Sequence, residues 1–441
     1  MKRQWLNRLK YYDKNDTIAF LKKSGFLAII LSVCFLIFTG CQSGINKNDG
    51  VIHLTLWQGI NPPPNREVFQ KLVAKFNQTH DDIQVDSIFA GQFDQQLPKL
   101  LTSVMADSPP DILYFDPTMT GEFVNLDAIV PLEDWLEKLP IKSDLYSFIF
   151  EKSQLDNHIW FLPLHSNNVG IFYRPKLFQE AGITKLPKTW KELREVAKKL
   201  TIDRDGDGKP EQYGILIPFG KGEWTVFTWF AFLLSANGEI IENNRPNLMN
   251  EGAIQAVQFW QDLLKDGSGT LSIPERGYEE GAFIAGRVAM QITGPWTYIM
   301  KSNVDYGVFP VPVGVRPATV SGMGTFFLMK TTPERQKAGL KFFEYVLSEE
   351  FQTQWSMGSG HLPVNMKSAK SPAYQQFLKE KPALKVFIDQ MPVARERPII
   401  AGYNRLSENL GRAIEASMLG KPVEQSLKEA QARLDLIWEG K

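Results

Sequence analysis

Apolar and polar residues alternate through "VIHLTLW" (51–57), the pattern of a half-buried strand. A proline-rich loop follows. "REVFQKLVAKFNQTH" then spaces Val68, Leu72, Val73 and Phe76 three to four residues apart, which predicts an amphipathic helix. "IQVDSIF" predicts a second strand, "FDQQLPKLLTSVMAD" a second helix and "PPDILYFD" (109–116) a short apolar strand closed by an acid. This strand-helix rhythm predicts an α/β lobe with a largely parallel sheet. Ligands gather beyond the carboxyl ends of such strands, which puts Trp57, Gln92 and Asp116 along one edge.

The rhythm changes after "FLPLHSNNVGIFYRPKLFQEAG". "TWKELREVAKKLT", the very apolar "EWTVFTWFAFLLSANG" and "EGAIQAVQFWQDLLKDG" predict helices, and "VAMQITGPWTYIM" and "YGVFPVPV" predict strand-turn units. "TPERQKAGLKFFEYVLSEEFQTQWSMG" predicts two helices joined by a turn, and two further helices close the 441-residue chain. No repeat, low-complexity tract or sustained heptad interrupts it.

The first forty residues belong to a different pattern. Lys2, Arg3, Arg8, Lys10, Lys14, Lys22 and Lys23 face only Asp13 and Asp16, and an apolar run at 26–38 follows. A basic region, a short apolar run and small residues at its end predict a secretory signal. The run is shorter than the ~20 apolar residues a spanning helix needs. Its end, Phe38-Thr39-Gly40-Cys41, resembles the lipobox of bacterial lipoproteins, with Phe38 where Leu is usual. That resemblance implies cleavage after Gly40, lipidation of Cys41 and a polar tether over 41–50. A plain signal or an uncleaved anchor is the alternative.

Cleavage there leaves Cys41 as the mature chain's only cysteine, since Cys34 lies in the apolar run. A disulfide framework and a cysteine metal site are thereby excluded. The full chain is formally neutral. Loss of the basic leader makes the mature part mildly acidic, and no Lys/Arg stripe remains, so nucleic acid is not an expected partner. The five histidines are scattered without metal-ligand spacing. Neither a nucleophile elbow nor a phosphate-cradling loop is present.

Several segments together resemble the extracellular solute-binding proteins of carbohydrate ABC importers, the maltose-binding and glycerol-phosphate-binding group. They are "LTLWQG", "FAGQFDQQLPKLLTSVMADSPPDILYFD", "FLPLHSNNVGIFYRPKLFQEAGI", "LPKTWKEL", "GAFIAGRVAMQITGPWTYI", "YGVFPVPVG" and "SGHLPVN", in that order. The resemblance implies a periplasmic-binding-protein-like fold, with two α/β lobes, a hinge and a ligand cleft between them. The expected lobes are 51–163 plus 327–361 and 164–326 plus 362–441. The expected function is delivery of a small carbohydrate or polyol to the membrane permease of an importer, by an exported, lipid-anchored, monomeric protein that is not an enzyme. A glycerol-phosphate-type binder is the near alternative and an extracytoplasmic glycosidase the distant one.

Sugars need aromatic plates for their C–H faces and polar groups for their hydroxyls. Trp296, presented by Gly294 and Pro295, is the leading plate, and the resemblance supports it. Trp57 and Trp224 also stand at element ends. Asp116, Ser166 and Asn167 are the leading polar candidates, with Gln92, Tyr403 and Arg405 behind them. Gly322 offers backbone without side-chain bulk. Separately, "DRDGDGKPEQYG" places Asp203, Asp205 and Asp207 at alternate positions with Glu211 beyond, like the first half of a calcium loop. Gly214 stands where that motif wants a bidentate Glu. Structural calcium and a solvated Asp-Gly turn both remain open for it, and no other cofactor is expected.

Overall fold

The computed structural model describes residues 50–273 and 279–439. The signal, Cys41 and nearly all of the tether lie outside the described residues. Strand β1 (Ile52–Gln58) lies between β2 (Ile83–Phe89) and β3 (Ile112–Phe115), parallel to both. Helices α1 (Pro63–Thr79) and α2 (Phe93–Met105) make the connections. Leu54 and Leu56 of β1 face a core shared with Phe69 and Phe76 of α1. The first lobe is therefore the α/β unit that the alternation predicts.

The chain then leaves this sheet along a fully buried strand, β4 (Leu162–Asn168), and continues through Val169 into β5 (Gly170–Tyr173) of a second sheet. The second sheet also contains β6 (Tyr213–Ile217), β7 (Gly269–Leu271), β8 (Val288–Thr293) and β9 (Gly307–Phe309), in the order β7-β6-β8-β5-β9. Around it pack α3 (Trp190–Leu200), α4 (Glu223–Ser235) and α5 (Glu251–Lys265). A Thr189–Glu192 capping box starts α3, and Asn250 caps α5. Helix α4 is apolar all round because it is buried all round.

Strand β10 (Thr319–Leu328) returns to the first sheet and runs antiparallel to both β3 and β4. The first sheet is therefore mixed, its parallel core closed by one returning strand. Helices α6 (Pro333–Leu347) and α7 (Glu349–Ser359) complete that lobe. The last passage lies between Val364, in the first core, and Leu384, in the second. Helices α8 (Tyr403–Met418) and α9 (Val423–Glu439) close the second lobe. Among the described residues no helix is long and apolar enough to cross a membrane.

Candidate ligand-binding cleft

A cavity of about 1070 Å³ lies between the two lobes, walled by the carboxyl ends of the first sheet, the crossing strands and the start of α4. Gln92, Asp116, Asn167, Trp224, Trp296 and Gly322 all line it. The structure thus brings six of the sequence candidates together from six separate segments.

Five candidates stand elsewhere, each for a local reason. Trp57 alternates with Leu56 on β1 and packs against the cluster of Leu100, Leu113 and Phe115, and it does not line the cavity. Ser166 and Asn167 are neighbours on an extended strand, so they face opposite ways. Asn167 reaches the cavity, while the Ser166 hydroxyl turns towards Met391. Gly294 lies under the indole of Trp296, where a side chain would meet the ring at 2.1 Å. Tyr403 is buried behind the wall, its hydroxyl donating to Glu223 Oε1 at 2.9 Å. Arg405, two positions further along α8, is turned to solvent.

The polar centre of the cleft is a chain of three charged groups. Asp116 accepts from the backbone N–H of Thr118 at 3.0 Å and from its hydroxyl at 2.6 Å, while its other oxygen takes Arg397 Nη2 at 2.6 Å. The other end of the guanidinium donates to Glu223, which also accepts from Ser407. Burial pushes the Glu223 carboxyl up, with Arg397 opposing that shift and Asp116 adding to it. Burial also works against the Arg397 charge, but Asp116 leads the groups that more than restore it, so Arg397 stays cationic. Its guanidinium carbon lies 4.8 Å from the centre of the Phe227 ring.

The floor is a stack of rings. His361 lies 3.6 Å from His165, 5.6 Å from Trp355 and 5.7 Å from Trp296, centre to centre. Burial drives His165 down to about 3, so it is neutral at physiological pH. Sequence reasoning missed His165, His361, Glu223 and Arg397. Only Glu223 left a signal, as the lone acid opening an otherwise apolar helix.

The Asp-rich loop lies outside this cleft. Oxygens of Asp203, Asp205 and Glu211 come within 4.8 Å of one another, and all three residues are exposed. Asp207 stands outside that group and accepts from the Lys209 N–H at 2.7 Å. The three remaining acids suit a hard cation by donor type, though Asp203 already accepts from the Gly206 and Gly208 N–H groups.

The family of bacterial extracellular solute-binding proteins matches residues 71–385. The chain belongs to that family. This solute-binding protein is 24% identical over 402 residues to the sn-glycerol-3-phosphate-binding periplasmic protein of Brucella melitensis, which covers 83% of this chain and 88% of the relative. Its fold is that of a solute-binding protein from Thermotoga lettingae solved with alpha-D-tagatose (TM-score 0.77, 24% identity, 88% of this chain and 99% of the other). It also matches the cyclic alpha-maltosyl-1,6-maltose binding protein of Arthrobacter globiformis (TM-score 0.72, 23% identity, 89% and 100%).

Proposed function

We propose that this protein captures a neutral carbohydrate or polyol outside the cell and presents it to the permease of an ABC importer, without chemical turnover. The observation that carries the reading is what stands at the helix starts facing the cleft. Helix N-termini favour anions. Here α1 begins with prolines, which lack N–H donors, while α2 and α4 hold their own acids, Asp94 and Glu223, in the first turn. Arg397 is committed to Asp116 and Glu223, and Arg66 lies 3.4 Å over the Phe89 ring. Among the described residues, three lining side chains keep a buried polar atom without a protein partner, the acceptor Asn167 Oδ1 and the donors Gln96 Nε2 and Arg397 Nε.

A wall with both acceptor and donors suits hydroxyls, which do both, on a sugar stacked on Trp224 and Trp296. With Arg397 already facing two carboxylates, it offers a phosphate little positive charge. The cavity sits at the top of the ~300–1,000 Å³ usual for small-molecule sites, which favours a ligand larger than one sugar ring. Closure of the two lobes would trap it. Two of the carboxylates that line the cavity, Asp116 and Glu223, share one arginine and are not a free acid–base pair, which supports a binder over a glycosidase. Lipidation at Cys41 would hold the protein at the outer face of the membrane as a monomer.

A thermal-shift screen of residues 42–441 against mono-, di- and trisaccharides, polyols and glycerol phosphates tests the reading. A ligand at a hundredfold excess over Kd adds about 2.7 kcal/mol of apparent stability. Stabilisation by phosphorylated polyols alone would overturn the neutral-ligand reading, and glycoside hydrolysis at enzyme-like rates would overturn the binder. Repeating the screen with calcium and with chelator, in wild type and Asp203→Asn, tests whether Asp203, Asp205 and Glu211 hold a structural ion.

A further inference from the structure

The first turn of α1 reaches across the cleft. Asn65, fully buried, donates its side-chain amide to the backbone carbonyl of Trp296 at 3.1 Å, and its amide oxygen accepts from Lys301 Nζ. Asn65 belongs to the first lobe, whereas Trp296 and Lys301 belong to the second. The chemistry fixes the direction of the amide. An ammonium only donates and a carbonyl only accepts, so Oδ1 must face Lys301 and Nδ2 must face Trp296. Aspartate, of the same shape, keeps the bond from Lys301 and forfeits the bond to Trp296.

We propose that Asn65 and Lys301 form a latch that holds the lobes together, and sets the position of Trp296, without any contribution from solute. Every group in the latch is protein, so it can form before any solute is bound. Trp296 is the wall residue whose carbonyl it grips, and the Trp296 ring stacks over His361 in the cleft floor. Burial brings the Lys301 amine down to about 8, consistent with a cation enclosed between the lobes. Asn65 is then a positioning residue that acts on the ligand site through Trp296. The latch gives the protein a closed population before any ligand arrives, and ligand has only to shift it further.

The test uses solute-free residues 42–441. Small-angle X-ray scattering measures the radius of gyration of wild type, Asn65→Asp, Asn65→Ala and Lys301→Met. Fluorine NMR of 5-fluorotryptophan-labelled protein follows Trp296, its resonance assigned with Trp296→Phe. The wild type is expected to keep the lobes joined, as they are in the structure. Asn65→Ala and Lys301→Met should expand the protein and move the Trp296 resonance, while Asn65→Asp, which keeps a charge-assisted bond to Lys301, should move the resonance with less expansion. If Asn65→Ala fails to fold, Lys301→Met decides. A wild type already open without solute would overturn the latch, as would Asn65→Ala and Lys301→Met variants with wild-type radius and resonance. Neither measurement involves sugar, so failure of the carbohydrate reading and failure of the latch are separate results.

Discussion

Trp355 donates its indole N–H to Nδ1 of His165 at 3.1 Å, deep in the floor of the cleft. The bond uses the lone pair that a proton would need, and burial brings His165 down to about 3. An unfolded histidine titrates near 6.5. Between those values the unfolded chain binds the proton and the folded one does not, so stability is full above about pH 6.5 and falls as pH drops towards 3. Urea unfolding at pH 7 and pH 5 should show His165 contributing a loss of about 2 kcal/mol. His165→Gln should lose correspondingly less over the same interval. Equal losses in the two proteins would show that His165 takes up its proton without unfolding.

Arg397 stands between Asp116 and Glu223 with its side chain almost wholly enclosed. Arg397→Met leaves two acids facing each other without their cation, and breaking a buried pair in this way costs about 3–5 kcal/mol. Urea unfolding at pH 7 should show that loss. Glu223→Gln removes one of the two charges that Arg397 balances. The Glu223→Gln, Arg397→Met double variant should therefore be more stable than the sum of the singles predicts, because only one unpaired carboxylate remains. Strict additivity would mean the three groups do not act as one network.

What the sequence made legible follows from where each signal comes from. The first lobe could be read because alternation in β1 and helical spacing in α1 are local properties, and Leu54, Leu56, Leu72, Val73 and Phe76 do share one core. Trp296 was legible because Gly294 and Pro295 break the strand beside it. Trp57 was misplaced although its position at a strand end was right, because the face it takes depends on which side β1 turns to α2. Ser166 and Asn167 look equivalent as a polar pair, and only the strand's period of two separates them. Asn65, His165, His361 and Arg397 come from four distant segments, and nothing local marks the partners each of them meets. Such encounters are a property of topology, which a single sequence does not display.

Gly360 ends α7 at φ 84°, and a methyl group there would lie 2.1 Å from the carbonyl oxygen of Pro295 in the other lobe. Gly420 has φ 101° with nothing within 4 Å, so it isolates the conformational part of the cost. Gly420→Ala should lose about 1–2 kcal/mol, the cost of a left-handed residue with a side chain. Gly360→Ala should lose more and should also expand the solute-free protein, because its methyl forces the lobes apart. Matching losses in urea unfolding, with an unchanged radius, would show that the close approach to Pro295 yields easily.

Asn167 Oδ1 is a buried acceptor without a protein partner, facing the cavity beside Gly322. Leaving such an atom unpaired costs roughly 1–3 kcal/mol, and a ligand hydroxyl that donates to it recovers that cost only in the complex. Two opposite effects of one substitution follow. Asn167→Leu should leave the solute-free protein as stable as wild type or raise its melting temperature, because the orphan acceptor is gone. The same variant should weaken the best carbohydrate of the screen by roughly 5- to 150-fold, the binding equivalent of about 1–3 kcal/mol. Gly322→Ala should act in the same direction, since its methyl would fall 2.5 Å from Asn167 Oδ1 and block the approach. Calorimetric titration of the two variants beside wild type measures the binding loss, and a thermal melt without solute measures the stability. A variant that binds as wild type would remove Asn167 from the ligand's contacts. One that loses both stability and binding would make Asn167 a structural residue of the crossing strand, not a contact for ligand.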